Sequence, residues 1–161
     1  MSAKSASFAI LAGGLVAGAL DIAYAISFWS YRGIAPERVL QSVASGLLGK
    51  PAFDGGLHTE ALGLGLHFFI AFVFAAIFWF ASRRIPVLVR RAAVCGVVYG
   101  LVVFAVMHTI VLPLSAFPFP QRYSLLGTGT DLLSHMFLFG LPIALATRKA
   151  STMTDRRNRP T

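Results

Sequence analysis

The chain has 161 residues, of which 57% are hydrophobic and only 12% are charged. A soluble domain of this length usually carries about twice that charged fraction, so an ordinary soluble domain is excluded. The net charge of +8 does not indicate nucleic-acid binding, because the basic residues form short clusters between apolar runs. A single cysteine, Cys95, excludes an internal disulfide and a metal site built on several thiolates.

Four apolar segments are long enough to cross a bilayer, whose hydrocarbon core of about 30 Å needs roughly 20 helical residues. They cover residues 7–29, 61–82, 92–114 and 130–146. The fourth is the shortest and contains Pro142. No linker or repeat divides the chain, so the sequence predicts one membrane domain over 1–161, an all-α bundle of four transmembrane helices.

The first segment also has the features of a secretory signal peptide. Lys4 precedes an apolar run, and Ala23-Tyr24-Ala25 has the pattern of a cleavage site. The apolar character nevertheless continues to Trp29, which makes the segment long enough to span. We therefore expect it to be the first helix, and cleavage would leave three spans.

The first connection, APERVLQSVASGLLGK, predicts a short amphipathic helix. Pro36 suits a first helical turn, and apolar residues recur near helical spacing at Val39, Leu40, Val43, Leu47 and Leu48. This helix would lie in the outer membrane–water interface or pack on the bundle as a lid. The last connection cannot be one continuous helix, because it contains Pro113, Pro118 and Pro120.

The basic residues predict the orientation of the spans. Ten of the fourteen lie before the first span, between spans two and three, or after span four: Lys4, Arg83, Arg84, Arg90, Arg91, Arg148, Lys149, Arg156, Arg157 and Arg159. The positive-inside rule places these segments, and both termini, in the cytoplasm. The chain is expected to lie in a membrane, with the lipid bilayer as the surrounding partner.

Each predicted span carries an ionisable side chain in the same, outer half of the bilayer. These residues are Asp21, His67, His108 and His135. Each lies about five to eight residues inside the outer end of its span, a depth of roughly 8–12 Å. Ionisable groups within a membrane usually mark ion or proton pathways or ligand sites.

Helical spacing adds neighbours to these four residues. Asp131 precedes His135 by four residues, so the two share a helix face. Glu60 precedes His67 by seven, close to His58. The sequence therefore predicts a site of Asp21, His67, His108 and His135, with Glu60, His58 and Asp131 at its outer mouth.

Two glycine pairs predict close helix contacts at the cytoplasmic end. Gly14-x-x-x-Gly18 and Gly96-x-x-x-Gly100 both lie in the inner halves of their spans, where small residues let two backbones approach. The expected bundle is closed at its inner end and open, with polar walls, at its outer end.

Three chemistries fit the predicted site. Imidazoles with a carboxylate suit zinc or copper, histidines on facing helices suit haem, and the same groups suit a proton relay. Alternatively, the polar residues only hold helices together, at about 0.6 kcal/mol per bond, in a non-catalytic accessory or assembly subunit. A homo-oligomer or a larger membrane complex fits either interpretation. No catalytic residue is proposed, because the chain lacks the nucleophile, P-loop, dinucleotide and paired-cysteine motifs.

Four stretches of the chain also carry a resemblance to a known family. They are the glycine-rich first span, GLHFFIAFVFAAIFWF, MHTIVLPLSAFP, and SHMFLFGLPIALATRK before a basic tail. In this order they resemble the YagU-like group of small bacterial inner-membrane proteins. The resemblance implies a four-span inner-membrane protein with a histidine in each of its last three spans, here His67, His108 and His135. It implies no reaction.

Overall fold

The computed structural model describes residues 3–120 and 124–157, and all regular structure in them is helical. The first half contains α1 (Ala3–Tyr31), α2 (Pro36–Leu48), a 3-10 turn (Lys50–Asp54), α3 (Gly56–Ser82) and α4 (Val87–Arg90). The second half contains α5 (Ala92–Val106), a π segment (Met107–Val111), α6 (Leu112–Leu114), α7 (Leu125–Ser134), a second π segment (His135–Gly140) and α8 (Leu141–Arg157). Arg122 and Arg159 lie outside the described residues.

Four continuous helices are long and apolar enough to cross a membrane. They run over Lys4–Tyr31, Gly56–Ser82, Ala92–Leu114 and Leu125–Met153. The third has the predicted bounds, and the others extend beyond them. The prediction was furthest off for the fourth span, which is longer at both ends and continues through Pro142.

Both interruptions of α-helical hydrogen bonding come just before a proline. The Leu112 N–H donates to the Met107 carbonyl, and the Leu141 N–H donates to the Met136 carbonyl, five residues back instead of four. The next residues are Pro113 and Pro142. A proline has no N–H and its ring clashes with the carbonyl four residues back, so the wider turn accommodates it. The fourth span therefore continues past Pro142, as its predicted bounds did, and ends further along the chain.

The four long helices pack around a small apolar core. Helix α1 lies between α3 and α8, while α5 packs against α8 and the second π segment. The core contains Ala17, Ala71, Phe78, Val103 and Ile143. The outward surface is also apolar, with Leu11, Phe69 and Phe80 well exposed. Such a surface is stable against lipid, so the architecture indicates a multi-pass membrane protein.

Both predicted glycine pairs lie at close helix contacts. A Cβ on Gly100 would overlap the His135 carbonyl oxygen, and a Cβ on Gly140 would overlap the Gly96 carbonyl oxygen. Gly14 and Gly18 lie against aromatic rings of α3. The backbones of α5 and the second π segment are therefore in direct contact, and this contact positions His135.

Helix α2 is present as predicted, and it packs along α3. Its buried residues include Val39, Ala44 and Ser45, and a Cβ on Gly63 of α3 would overlap the Leu40 carbonyl oxygen. Of the two predicted positions, α2 therefore takes the one in which it packs on the bundle. We call the end of the bundle that carries α2 the histidine end, and the end that carries Arg83, Arg84, Arg90 and Arg91 the basic end.

Candidate functional site

Two histidines face each other at the histidine end because the π segments place them there. His108 lies in the first π segment and His135 begins the second. Their ring centroids are 6.4 Å apart. The ring of Phe104 packs against both, 4.1 Å from His108 and 5.6 Å from His135 between centroids. π segments are found frequently at functional sites.

Asp131 lies between the two histidines. Its Oδ2 is 3.4 Å from Nε2 of His108, and its Oδ1 is 3.3 Å from Nδ1 of His135. The second contact is the one that the four-residue spacing predicts. We call His108, Asp131 and His135 the triad. Its imidazoles are mostly buried, with exposed side-chain fractions of 19% for His108 and 12% for His135.

Backbone carbonyl groups indicate which nitrogen of each imidazole carries a proton. Nδ1 of His108 lies 3.0 Å from the Phe104 carbonyl oxygen, and Nδ1 of His135 lies 3.0 Å from the Asp131 carbonyl oxygen. A carbonyl oxygen only accepts hydrogen bonds, so each Nδ1 carries a proton.

Both ring nitrogens of His108 therefore face oxygen acceptors when Asp131 is ionised. The arrangement is satisfied if His108 is an imidazolium, or if Asp131 is protonated and donates to His108. The contact between Nε2 of His108 and Oδ2 of Asp131 is therefore where a proton shared by the two side chains would lie.

The triad opens into a cavity of about 510 Å³. His108 and Asp131 line it together with Tyr24, Ser124 and Thr128, and an aromatic wall includes Phe28, Trp29, Phe117 and Phe119. The buried Tyr24 hydroxyl lies beside the Thr130 hydroxyl, which itself donates to the Leu126 carbonyl. Polar groups that converge in an otherwise apolar cavity are typical of a small-ligand site.

Two of the predicted site residues hold helices together beside the triad. Asp21 of α1 accepts a 2.8 Å hydrogen bond from the Ser134 hydroxyl of α7. His67 of α3 donates from Nε2 to the Gly18 carbonyl of α1, over 2.8 Å. Each of these bonds joins two different helices, and neither Asp21 nor His67 lines the cavity.

The remaining predicted residues lie at the start of α3. His58 is exposed and Glu60 is partly buried in the first turns of that helix. Neither lines the cavity beside the triad. Of the three residues that we placed at the mouth, the structure brings only Asp131 to the histidines.

The described residues contain no set of three or more histidine, cysteine, aspartate or glutamate side chains arranged to hold a metal ion. In the triad, Nδ1 of each histidine faces a carbonyl oxygen, so any metal there would meet Nε2, which in His108 faces Asp131. Zinc, copper and haem stay predictions.

Sequence reasoning left two contributors out of the predicted site: the Phe104 carbonyl and Tyr24. Tyr24 had a signal, since it continues the helix stripe of Asp21 three residues further on. The Phe104 carbonyl had none, because it depends on the width of the π turn.

Comparison with family models, curated proteins and solved structures gives no match for this chain.

Proposed function

We propose that this chain is a multi-pass protein of a bacterial inner membrane that takes up and releases a proton at the triad, on the outer side. The observation that carries the proposal is the position of His108, with an oxygen acceptor at each ring nitrogen. Histidine is the side chain whose ordinary titration falls between pH 5 and 8. The cavity gives the triad access to a ligand or to water, so proton exchange would accompany binding.

Location and orientation belong to the same proposal. The clustered arginines favour a cytoplasmic basic end, which puts the triad and its cavity on the outer side. The four apolar spans and the resemblance to the YagU-like group support the inner membrane.

The alternative, an accessory or assembly subunit with purely structural polar residues, is supported by two contacts. His67 with the Gly18 carbonyl and Asp21 with Ser134 are single bonds between helices. That explanation suits these two pairs, but it does not explain why both nitrogens of His108 face acceptors beside a cavity.

Histidine NMR of the ¹⁵N-labelled protein in lipid nanodiscs at neutral pH tests the proposal, together with infrared spectra of the carboxyl region. The parent protein should show either an imidazolium signal from His108 or a protonated carboxyl band from Asp131. Asp131→Asn should remove both, because an amide can donate to Nε2 of His108 and leave a neutral ring satisfied.

His67→Gln is the matched control, since His67 lies in the bundle but outside the triad. It should leave the triad signals unchanged. Neutral rings at His108 and His135 beside an ionised Asp131 in the parent protein would falsify the proposal. Metal analysis and a visible spectrum of the same preparation test zinc, copper and haem.

A further inference from the structure

Helices α3 and α5 are joined near the basic end and separate towards the histidine end. The Tyr99 hydroxyl of α5 donates to the Phe74 carbonyl of α3 over 2.7 Å, and the Tyr99 ring packs 4.8 Å from Phe78. Further along, a groove of about 1030 Å³ lies between α3 and the first π segment, which continues α5. Helix α2 forms its third side through Val39 and Val43.

The groove has the shape and lining of a site for a hydrocarbon chain. Leu66 and Ile70 line it on the α3 side, and Met107 and Val111 line it on the other. Ile70 is the fifteenth residue of the 27 in α3, so the groove reaches half-way along that helix. Half of a span corresponds to one leaflet of a bilayer whose core is about 30 Å thick.

The groove adjoins the cavity beside the triad. Both spaces are lined by Trp29, Leu112, Phe117 and Phe119. A lipid in the groove would therefore lie next to the cavity that Asp131 lines.

A basic side chain lines the groove, and the acidic side chain of Asp131 lines the cavity. Arg38 of α2 lines the groove and makes no ion pair with the residues that the structure describes. Its Nη1 donates to the Phe53 carbonyl over 2.8 Å and approaches Gln41. A guanidinium has five N–H donors, so donors remain for a phosphate, the group that arginine binds best in two-point contacts.

We propose that the groove and the cavity bind one phospholipid with a primary-amine head group. One acyl chain lies between α3 and the first π segment, the phosphate contacts Arg38, and the ammonium group reaches Asp131. The ammonium would bring Asp131 the positive charge that the shared proton otherwise supplies, so lipid binding and proton release would be coupled. This last step rests on the proposed function, whereas the chain and phosphate contacts do not.

Native mass spectrometry of the purified protein with added phosphatidylethanolamine, phosphatidylglycerol or phosphatidylcholine tests the proposal. We expect one phosphatidylethanolamine to be retained per chain in preference to the other two lipids. Arg38→Gln should weaken retention about tenfold, as expected for loss of a charge-assisted hydrogen bond. Asp131→Asn should keep the lipid but abolish the preference for the amine head group.

Ile70→Trp should fill the groove and displace the lipid. Val73→Trp, three residues along the same helix at a position 40% exposed on the outer surface, is its matched control and should retain it. Equal retention of the three lipids by the parent, or equal behaviour of the two tryptophan variants, would overturn the proposal.

The triad proton measured by NMR is a separate readout: if it is present while Ile70→Trp retains lipid, only the lipid proposal fails. If it is absent while retention depends on Arg38 and Ile70, only the proposed proton exchange fails.

Discussion

The predicted ionisable site residues at the histidine end form two groups: those that bond to one other helix, and those that share a partner in the triad. His67 and Asp21 each have one hydrogen bond to another helix, as expected of residues that hold a bundle together. Asp131 instead contacts two imidazoles at once. Residue type and depth could predict that these groups lie at one level of the membrane. They could not predict which of them share a partner, because that depends on how each helix is rotated.

This division predicts how losses of stability combine. His108→Leu and Asp131→Leu remove members of one network, so the double variant should lose less stability than the sum of the single losses, by roughly 0.5–3 kcal/mol. His67→Leu and His108→Leu share no partner and should be additive within about 0.5 kcal/mol. The measurement is the free energy of unfolding in detergent for the single and double variants. Additive losses for His108 and Asp131 would mean that the triad is not a unit.

At the scale of the elements, local sequence predicted which helices form. Packing between helices determined where the helical hydrogen bonding widens. Span length and apolar character are properties of a short stretch, so all four spans and α2 could be predicted. The π segments could not, because local sequence does not show which backbone contacts provide their support. Gly100 and Gly140 provide that support, since each lies against backbone atoms of the facing segment.

Glycine substitutions test this support. Gly100→Ala should destabilise the protein strongly, because its Cβ would overlap the His135 carbonyl oxygen and backbone atoms cannot move aside cheaply. Gly65→Ala is the control, as a Cβ there meets nothing within 4 Å. It should be neutral or stabilise the helix by about 0.5–1 kcal/mol. Thermal melts in detergent measure both, and similar melting temperatures for the two variants would contradict the close contact.

At the scale of the whole molecule, the two ends of the bundle differ in packing. Near the basic end, Ala9, Trp79 and Ala150 form a buried cluster of their own, and Tyr99 holds α5 to α3. At the histidine end, the cavity and the groove separate the helices. The glycine pattern predicted a bundle closed at one end and open at the other. It could not predict the groove, which depends on where α2 packs.

Reporter fusions test which end faces the cytoplasm. A reporter that is active only in the cytoplasm should give signal within 85–88 and at Thr161, and none within 50–56, because the basic clusters stay inside. Western blots of each fusion check that expression is equal. Signal from the 50–56 fusion would reverse the orientation and place the triad on the cytoplasmic side.

The π segments have one more consequence, for the effect of changing the length of the chain. A segment with hydrogen bonds to the fifth residue contains one residue more than the α-helical turn it replaces. Deleting a residue within His135–Gly140 would therefore restore regular α-helix and keep a complete span. The wide turn absorbs the extra residue, so Asp131 and Pro142 would keep their relative directions, and only residues inside the turn, His135 among them, would move. In these two short stretches, a single-codon deletion would displace an imidazole and leave both the flanking helix faces and the number of membrane crossings as they were.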